Sequence, residues 1–230
     1  LPGVAFAGER CRGVVDGFVD RVDVWQSGGR PYVRVVDYKT GKKSFDYTNV
    51  LHGRGLQMLL YLFALVRQGG HLLHGEPLPA GVLYFPARIE RVSVRDRFAQ
   101  AEIEKERRKQ LRRSGVLLNS DPVLEAMEPC GGSPRFLPYT LDKEGRKTGD
   151  LASFAQLAQL ERFVFQTVAA LGDELADGRI DPDPCIRDAK DSACAFCPYS
   201  EICAGHEQPR WLKKITAEEF WQTLERREHG

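Results

Sequence analysis

Two valine-rich stretches separated by a pair of glycines constrain the fold of this chain more than any other feature. Residues 10–24, RCRGVVDGFVDRVDV, are broken by Gly13 and Gly17, which predicts one or two strands with a bend or bulge. SGGRP at 27–31 is a turn signal, and YVRVVDYK at 32–39 is predicted to be the next strand. We therefore expect a β-hairpin near the start of the chain.

Helical and strand patterns follow this hairpin in an order typical of an α/β or α+β domain. Apolar residues recur at helical spacing in TNVLHGRGLQMLLYLFALVRQ, and AGVLYFPARI reads as a buried strand. The predicted elements are a helix over 48–68 ended by Gly69 and Gly70, a strand over 80–89, a charged helix or extended segment over 94–113, a loop with one short strand or hairpin over 128–150, an amphipathic helix over 153–178 ended by Gly178, and a last helix over 216–228.

Composition and charge exclude several classes of protein. The chain has 33 Lys and Arg against 32 Asp and Glu, so its net charge does not indicate nucleic-acid binding. Any surface that binds nucleic acid must therefore be a local basic patch. No apolar run approaches the ~20 residues that span a bilayer. No P-loop, G-x-S-x-G or H-E-x-x-H motif occurs. The chain opens on Leu1 without a secretory signal, which indicates a piece of a longer, cytoplasmic protein.

Four of the six cysteines crowd into one short segment near the end of the chain. This asymmetry favours a metal-binding cluster in a reducing compartment over a secreted disulfide framework. Thiolate ligands suit either zinc or an iron–sulfur cluster, and spacing alone does not choose between them. Cys11 and Cys130 stand apart and are interpreted as small apolar residues or free thiols. The clustered residues are Cys185, Cys194, Cys197 and Cys203.

The stretch VVDYKTG at 35–41 places a carboxylate and an ammonium on one side of a strand. Because strand side chains alternate, Asp37 and Lys39 share a face. The preceding strand carries Asp16, Asp20 and Asp23, so a second carboxylate can approach Asp37. Converging carboxylates suit Mg²⁺ or Mn²⁺, and a lysine beside them suits phosphodiester hydrolysis. The alternative is a solvated Asp–Lys ion pair of little consequence.

Three further patterns have both a functional and a structural interpretation. Gln57 and Tyr61 are spaced i, i+4 and share a helix face, where they either support a site or face solvent. The basic run EKERRKQLRR at 104–113 either follows a DNA backbone or is a solvated helix face with internal ion pairs. Trp211 and Trp221 either stack on bases or pack on the protein.

Four motifs in this order resemble those of one nuclease family. GFVDRVD at 17–23, VVDYKTG at 35–41 and GLQMLLY at 55–61 are similar to the RecB-type nuclease module of the PD-(D/E)XK superfamily. CAFCPYSEIC at 194–203 narrows the resemblance to the AddB-type nuclease domains of bacterial AddAB helicase–nucleases. The resemblance covers about residues 10–207 and implies an α/β, restriction-endonuclease-like core, with a mixed central sheet flanked by helices and a C-terminal cysteine-rich segment.

The resemblance also implies roles for individual residues. Asp20, Asp37 and the main-chain carbonyl of Tyr38 would bind Mg²⁺ or Mn²⁺, and Lys39 would position or activate the attacking water.

Gln57 and Tyr61 match the family's Q-x-x-x-Y helix and would support the site or contact DNA. Asp23 is expected to make a structural salt bridge, with Arg21 as its partner, and Asp16 is the weakest candidate among the acids.

Cys194, Cys197 and Cys203 would be three ligands of a [4Fe–4S] cluster. Members of the family draw the fourth ligand, and a further acidic or histidine metal ligand, from an upstream segment that this chain begins too late to contain. Cys185 is the alternative fourth ligand within the chain. The resemblance therefore implies that the isolated chain has weak activity or none, and that the cluster can be absent from it.

Together these patterns predict a nuclease core over 1–180, a cysteine-cluster segment over 181–207 and a helical tail over 208–230. The expected function is metal-dependent hydrolysis of single-stranded DNA ends, beside an AddA-type helicase partner and away from membranes, in double-strand break resection and recombinational repair. One alternative is a catalytically inactive iron–sulfur or zinc DNA-binding module. The other is a different phosphoryl-transfer or hydrolytic enzyme that uses the same carboxylates.

Overall fold

A computed structural model of the chain describes residues 3–41, 44–92, 100–188, 191–195, 197–203 and 209–229. Its strands are β1 Val4–Ala7, β2 Arg12–Val15, β3 Arg21–Ser27, β4 Arg30–Lys39, β5 Leu78–Pro86, β6 Ser114–Leu118, β7 Tyr139–Leu141, β8 Lys147–Gly149, β9 Leu151–Ala152, β10 Cys185–Ile186 and β11 Arg210–Trp211. Its helices are α1 Tyr47–Leu51, α2 Gln57–Gln68, α3 Gly70–Leu73, α4 Gln100–Gln110, α5 Asp121–Met127, α6 Phe154–Ala176 and α7 Ala217–His229.

Five strands form a mixed central sheet in the order β3-β4-β5-β6-β9. The β3–β4 and β5–β6 pairs are antiparallel, whereas β4–β5 and β6–β9 are parallel. This mixed α/β architecture confirms the fold class predicted from the sequence. The remaining described strands pair in twos, as β1–β2, β7–β8 and β10–β11.

The predicted hairpin is β3 and β4, joined by a turn of two glycines. Ser27 lies opposite Arg30, and Gly28 and Gly29 between them have φ of +57° and +73°. Both glycines are left-handed, as a two-residue turn of type I′ requires, and this turn matches the twist of the strands that flank it. The turn therefore fixes the register along the whole hairpin.

Strand β4 runs through the core because apolar residues occupy both of its faces. Val33, Val35 and Val36 are completely inaccessible to solvent. Helix α2 packs on β4 and β5, and its Leu59 and Leu62 are also completely buried. The last residues of β4, which include the predicted site, leave this apolar environment and become half-buried or exposed.

A second apolar cluster joins the sheet to α5 and to the segment that leads into the β7–β8 hairpin. Leu83 of β5 and Leu117 of β6 pack with Leu124 of α5 and with Leu137 and Tyr139. The hairpin over 128–150 is confirmed by the β7–β8 pair, and α5 was not predicted. These contacts cover the sheet beside the strand that carries the site.

The single helix predicted over 48–68 is wrong. The structure has two helices, α1 and α2, separated by residues 52–56. Gly53 and Gly55 in this break have φ of +72° and +68°, a conformation that ends a helix and that glycine adopts without steric cost. The sequence prediction joins the apolar repeat of residues 56–66 to residues 48–51 across the short polar segment HGRG, which explains the error.

Strand β6 lies inside the sheet but was not predicted. Its Gly115 faces β5 so closely that a Cβ there would lie 1.9 Å from the carbonyl oxygen of Val82. The charged segment predicted over 94–113 contains α4, whose residues are half-buried or exposed, and its residues 93–99 lie outside the described part of the chain.

The described chain divides into two compact units. One contains residues 1–5, 14–45 and 56–164, and the other contains residues 6–13, 46–55 and 165–230. The first unit holds the central sheet. These units do not follow the segment boundaries that the sequence predicted at residues 180 and 207, because each unit groups residues that lie close together in space. The division of function at those two boundaries stays a prediction.

The second unit is organised around aromatic packing of α7. Trp221 is buried and meets Phe220 and Tyr47 with ring centroids 5.1 and 6.1 Å away. Packing is thus the confirmed interpretation for Trp221, whereas Trp211 is exposed. The predicted α7 begins with a capping box, in which the Thr216 hydroxyl accepts from the Glu219 amide and the Glu219 carboxylate accepts from the Thr216 amide.

None of the helices within the described residues is both long enough and apolar enough to cross a membrane.

Candidate active site

Asp37 and Lys39 form the centre of the site at the end of β4. The Lys39 Nζ lies 2.7 Å from Asp37 Oδ2, and the Lys39 and Asp37 side chains are 35% and 16% exposed. Asp37 Oδ2 is a buried oxygen that accepts no regular hydrogen bond from the described residues, although the Lys39 ammonium lies against it. The pair therefore leaves a desolvated carboxylate oxygen open to a stronger ligand.

Asp20 reaches the same strand end from β3. The β3–β4 register pairs Arg21 with Val36, and one further residue places Asp20 opposite Asp37. Residues directly opposite in an antiparallel pair present side chains to one face. The Asp20 Oδ2 accepts a hydrogen bond of 3.1 Å from the Tyr38 amide, so its carboxylate lies against the main chain next to Asp37.

Gln57 and Tyr61 act as a pair on α2. The Gln57 side-chain amide donates to the Tyr61 hydroxyl at 2.8 Å, which confirms the predicted shared face. The Tyr61 hydroxyl in turn lies 2.6 Å from the position that a Cβ would take on Gly17. Tyr61 therefore contacts the segment that leads into Asp20, and its predicted role in supporting the site stays a prediction.

Asp23 forms the structural salt bridge that the sequence predicted. Its carboxylate accepts from Arg21 Nε at 2.6 Å and from the Nε and Nη2 of Arg34, which is buried. Burial alone would raise the pKa of Asp23, but the hydrogen bonds and charges of Arg34 and Arg21 outweigh it, so the pKa lies below its ordinary value. Asp16 is exposed and joins no metal-binding group of side chains among the described residues.

Tyr84 is a site residue that sequence reasoning missed. The β4–β5 register places it beside Asp37, and it is only 7% exposed. Burial and the nearby charge of Asp37 raise the pKa of Tyr84, so its phenol stays protonated and is available as a hydrogen-bond donor. The signal that could have found it is a tyrosine among the apolar residues of a buried strand, where its hydroxyl needs a partner.

The residues at the strand end fit a hard divalent cation. The desolvated Asp37 Oδ2, the adjacent Asp20 carboxylate and the Tyr38 carbonyl are all oxygen donors, the class that Mg²⁺ and Mn²⁺ prefer. Within the described ranges, no three His, Cys, Asp or Glu side chains converge at metal-binding distance. Asp20 and Asp37 are thus the two carboxylates that the structure brings to this strand end, and their role as metal ligands stays a prediction.

The cysteines of the second unit lie in a segment of consecutive turns. The amide of Cys197 donates to the carbonyl of Cys194, and that of Cys203 donates to the carbonyl of Tyr199. All are half-buried and form no disulfide, as is also true of Cys185, Cys11 and Cys130. Their donor chemistry fits a soft metal or an iron–sulfur cluster, although their thiols do not converge in the described part of the chain.

Comparison with known proteins decides the family. The profile of the PD-(D/E)XK nuclease superfamily matches residues 3–204, a span that includes the hairpin, α2 and the cysteine segment. The chain belongs to the PD-(D/E)XK nuclease superfamily.

Relatives of this PD-(D/E)XK domain share one description, the B subunit of an ATP-dependent helicase/deoxyribonuclease. The chain is 36% identical over 201 residues to that protein from Moorella thermoacetica, with 86% of this chain and 17% of the relative covered. It is 30% identical over 226 residues to the protein from Clostridium perfringens, with 94% and 19% covered, and 30% identical over 219 residues to the protein from Thermoanaerobacter pseudethanolicus, with 91% and 19% covered. The chain thus spans less than a fifth of the length of these relatives.

Proposed function

We propose that this chain is a metal-dependent deoxyribonuclease domain that hydrolyses phosphodiester bonds in single-stranded DNA. The observation that carries the proposal is the juxtaposition at the end of β4, where Lys39 lies 2.7 Å from Asp37 and the hairpin register brings Asp20 opposite Asp37. Two carboxylates beside one lysine are the groups that phosphodiester hydrolysis with a divalent cation requires. Membership of a nuclease superfamily supports the same chemistry.

Asp20, Asp37 and the Tyr38 carbonyl are the proposed ligands of Mg²⁺ or Mn²⁺. When bound, the cation would supply positive charge for the phosphate oxygens and lower the pKa of water in the site. The chain itself holds the two carboxylates in place. Asp37 is mostly buried at the end of a core strand, and Asp20 accepts a hydrogen bond from the Tyr38 amide.

Lys39 is the proposed group that orients the attacking water and offsets the charge that develops on the phosphate. Its ammonium is partly exposed, so it can reach a substrate, and Asp37 fixes its position. A positioned donor of this kind acts where negative charge grows in the transition state. Tyr84, beside Asp37, offers a second hydrogen-bond donor from the neighbouring strand.

The cellular setting is proposed from the relatives. Their shared description as parts of a helicase/deoxyribonuclease supports a role in which a helicase partner delivers a single-stranded DNA end to this domain, in the resection of double-strand breaks for recombinational repair.

Cys194, Cys197 and Cys203 are proposed ligands of a [4Fe–4S] cluster. Such a cluster would stabilise the second unit by cross-linking the chain, which is a structural role. After anaerobic purification of the full-length protein, we expect a brown colour and visible absorption, and we expect both to be lost in Cys197→Ser.

The decisive experiment is a metal-dependent digestion assay on the full-length protein, because the resemblance implies weak activity or none for the isolated chain. A labelled single-stranded oligonucleotide is incubated with Mg²⁺ or Mn²⁺, and the products are compared for the parent chain, Asp37→Ala and the exposed-aspartate control Asp16→Ala. We expect digestion to require the cation, to be lost in Asp37→Ala and to persist in Asp16→Ala. Digestion by Asp37→Ala at the parental rate would overturn the proposal. DNA binding by the parent chain without any digestion would favour the inactive binding module.

A further inference from the structure

A cavity of about 430 Å³ opens directly beside Lys39, within the first unit. Its floor is formed by the ends of β4 and β5, and one wall is formed by α4. This volume lies in the range of pockets that bind small organic groups, for which ~300–1,000 Å³ is usual. The residues that line it are Lys39, Thr40, Gly41, Ser44, Tyr84, Phe85, Pro86, Arg88, Glu90, Glu106, Lys109, Gln110 and Arg112.

The cavity lining is basic, although the chain as a whole is nearly neutral. Four cationic side chains and two carboxylates line it, which leaves an excess of two positive charges. One of the carboxylates, Glu106, is already ion-paired with Lys109. Arg88 is exposed and makes no ion pair or hydrogen bond with any residue that the structure describes. An unpaired guanidinium beside a cavity is suited to bind an anion, and phosphate is an anion that arginine binds with two parallel hydrogen bonds.

The walls of the cavity are held in place by contacts that do not use these cations. The Glu90 amide donates to the Gln110 side chain at 2.8 Å, which ties the segment after β5 to α4. The Ala87 amide donates to the Lys39 carbonyl at 2.8 Å and fixes the end of β5 to the end of β4. These two contacts hold the walls without Arg88 or Lys109, so we expect the cavity to persist when either of these side chains is replaced.

We propose that this cavity binds the stretch of single-stranded DNA next to the scissile phosphate, with Arg88 and Lys109 contacting its phosphates. The inference rests on the proposed function and adds a path for the DNA. The single strand would run from Lys39 along the ends of β4 and β5 toward α4. Tyr84, Phe85 and Pro86 form the less polar floor beneath the sugar and base. The basic residues at 104–113 thus fall into two groups. Lys109 and Arg112 line the cavity, whereas Arg107 and Arg108 do not.

The test separates binding from cleavage by measuring binding without a divalent cation. Fluorescence anisotropy of a labelled oligothymidylate is recorded in EDTA across a range of salt concentrations for the full chain and its variants. Loss of one phosphate contact should lower the salt slope by about 0.7, which corresponds to about fivefold weaker binding at 0.1 M salt. We expect this change for Arg88→Gln, and about twice the change in slope for Arg88→Gln with Lys109→Gln.

Arg108→Gln is the matched control. Arg108 lies on the same helix as Lys109, is exposed and pairs with Glu104 at i, i+4, but it does not line the cavity. We expect its salt slope to equal that of the parent chain. Arg112 is left unchanged because it donates to the Tyr139 carbonyl and a substitution there would disturb packing.

The outcomes separate this inference from the proposed function. Equal salt slopes for Arg88→Gln, Arg108→Gln and the parent chain would overturn the inference, and the digestion assay with Asp37→Ala would still stand on its own. Binding that depends on Arg88 and Lys109, without digestion in Mg²⁺ or Mn²⁺, would support the cavity as a DNA site and overturn the nuclease proposal.

Discussion

The Tyr61 hydroxyl occupies the space that a side chain on Gly17 would need, with an ideal Cβ only 2.6 Å from that oxygen. Gly17 lies three residues before Asp20, so this contact connects α2 to the segment that carries a proposed metal ligand. Gly17 is required here for close approach, since its φ is not in the left-handed region.

Gly17→Ala is expected to lower the free energy of unfolding by about 1–3 kcal/mol, the usual cost of overpacking. It should also reduce nuclease activity by moving Asp20. Tyr61→Phe should not rescue the variant, because Cε1 of the ring remains 2.7 Å from the new methyl group. Tyr61→Ala should restore stability, and a double-mutant cycle by urea denaturation measures this coupling. Additive effects of the two substitutions would contradict the contact.

Lys39→Gln is expected to lower kcat by about 10²–10³-fold, as the loss of one positioned electrostatic donor does. Binding of the oligonucleotide in EDTA should change much less, because the main loss lies in the transition state. Lys143→Gln is the matched control, since Lys143 is an exposed lysine of the β7–β8 hairpin. Equal turnover by Lys39→Gln and Lys143→Gln would remove Lys39 from the mechanism.

Asp23→Asn is expected to destabilise the first unit by about 2–3 kcal/mol, somewhat less than the ~3–5 kcal/mol of a fully buried pair. Arg34 would then be left buried without a counter-ion. Because the pKa of Asp23 is lowered in the folded state, its stabilisation is present above the ordinary pKa of about 3.9 and is lost as the pH falls below it.

The pH dependence gives a second readout for Asp23. Denaturant titrations between about pH 2 and 7, followed by the fluorescence of tryptophan, should show the difference between the parent chain and Asp23→Asn shrinking in the acid range. A difference that stays constant across this range would mean that the carboxylate charge is not what stabilises Arg34.

Thr216→Ala is expected to cost about 1 kcal/mol of helix stability through loss of the N-cap of α7. Thr223→Ala is the matched control, because the Thr223 hydroxyl donates to the Glu219 carbonyl within the helix and caps no terminus. Hydrogen exchange of the α7 amides should therefore accelerate in Thr216→Ala and not in Thr223→Ala. The reverse order would show that the capping box does not stabilise the helix.

Local chemistry made the hairpin and the last helix predictable. Gly28 and Gly29 specify the turn, and Thr216 with Glu219 specifies the start of α7. The pairing of Asp37 with Lys39 followed from strand alternation alone. In each case a few neighbouring residues determine the geometry.

The features that escaped prediction depend on contacts between distant parts of the chain. Strand β6 is short and begins with Ser-Gly, so its place in the sheet comes from its partners β5 and β9 and from the close approach at Gly115. Tyr84 became a site residue only through the parallel register of β4 with β5. The break between α1 and α2 lies in the short segment HGRG, where Gly53 and Gly55 adopt the left-handed conformation, and a glycine by itself does not specify that conformation.

The two-glycine turn at Gly28 and Gly29 controls chemistry that takes place far from it. Asp20 lies eight residues from Gly28, or about 26 Å along an extended strand. If a change in the turn shifted β3 by one residue against β4, every side chain of β3 would move to the opposite face and Asp20 would point away from Asp37. A slip of one residue at this distant turn would thus separate the two carboxylates of the proposed site as completely as a substitution of Asp20, so the length of the turn constrains the site.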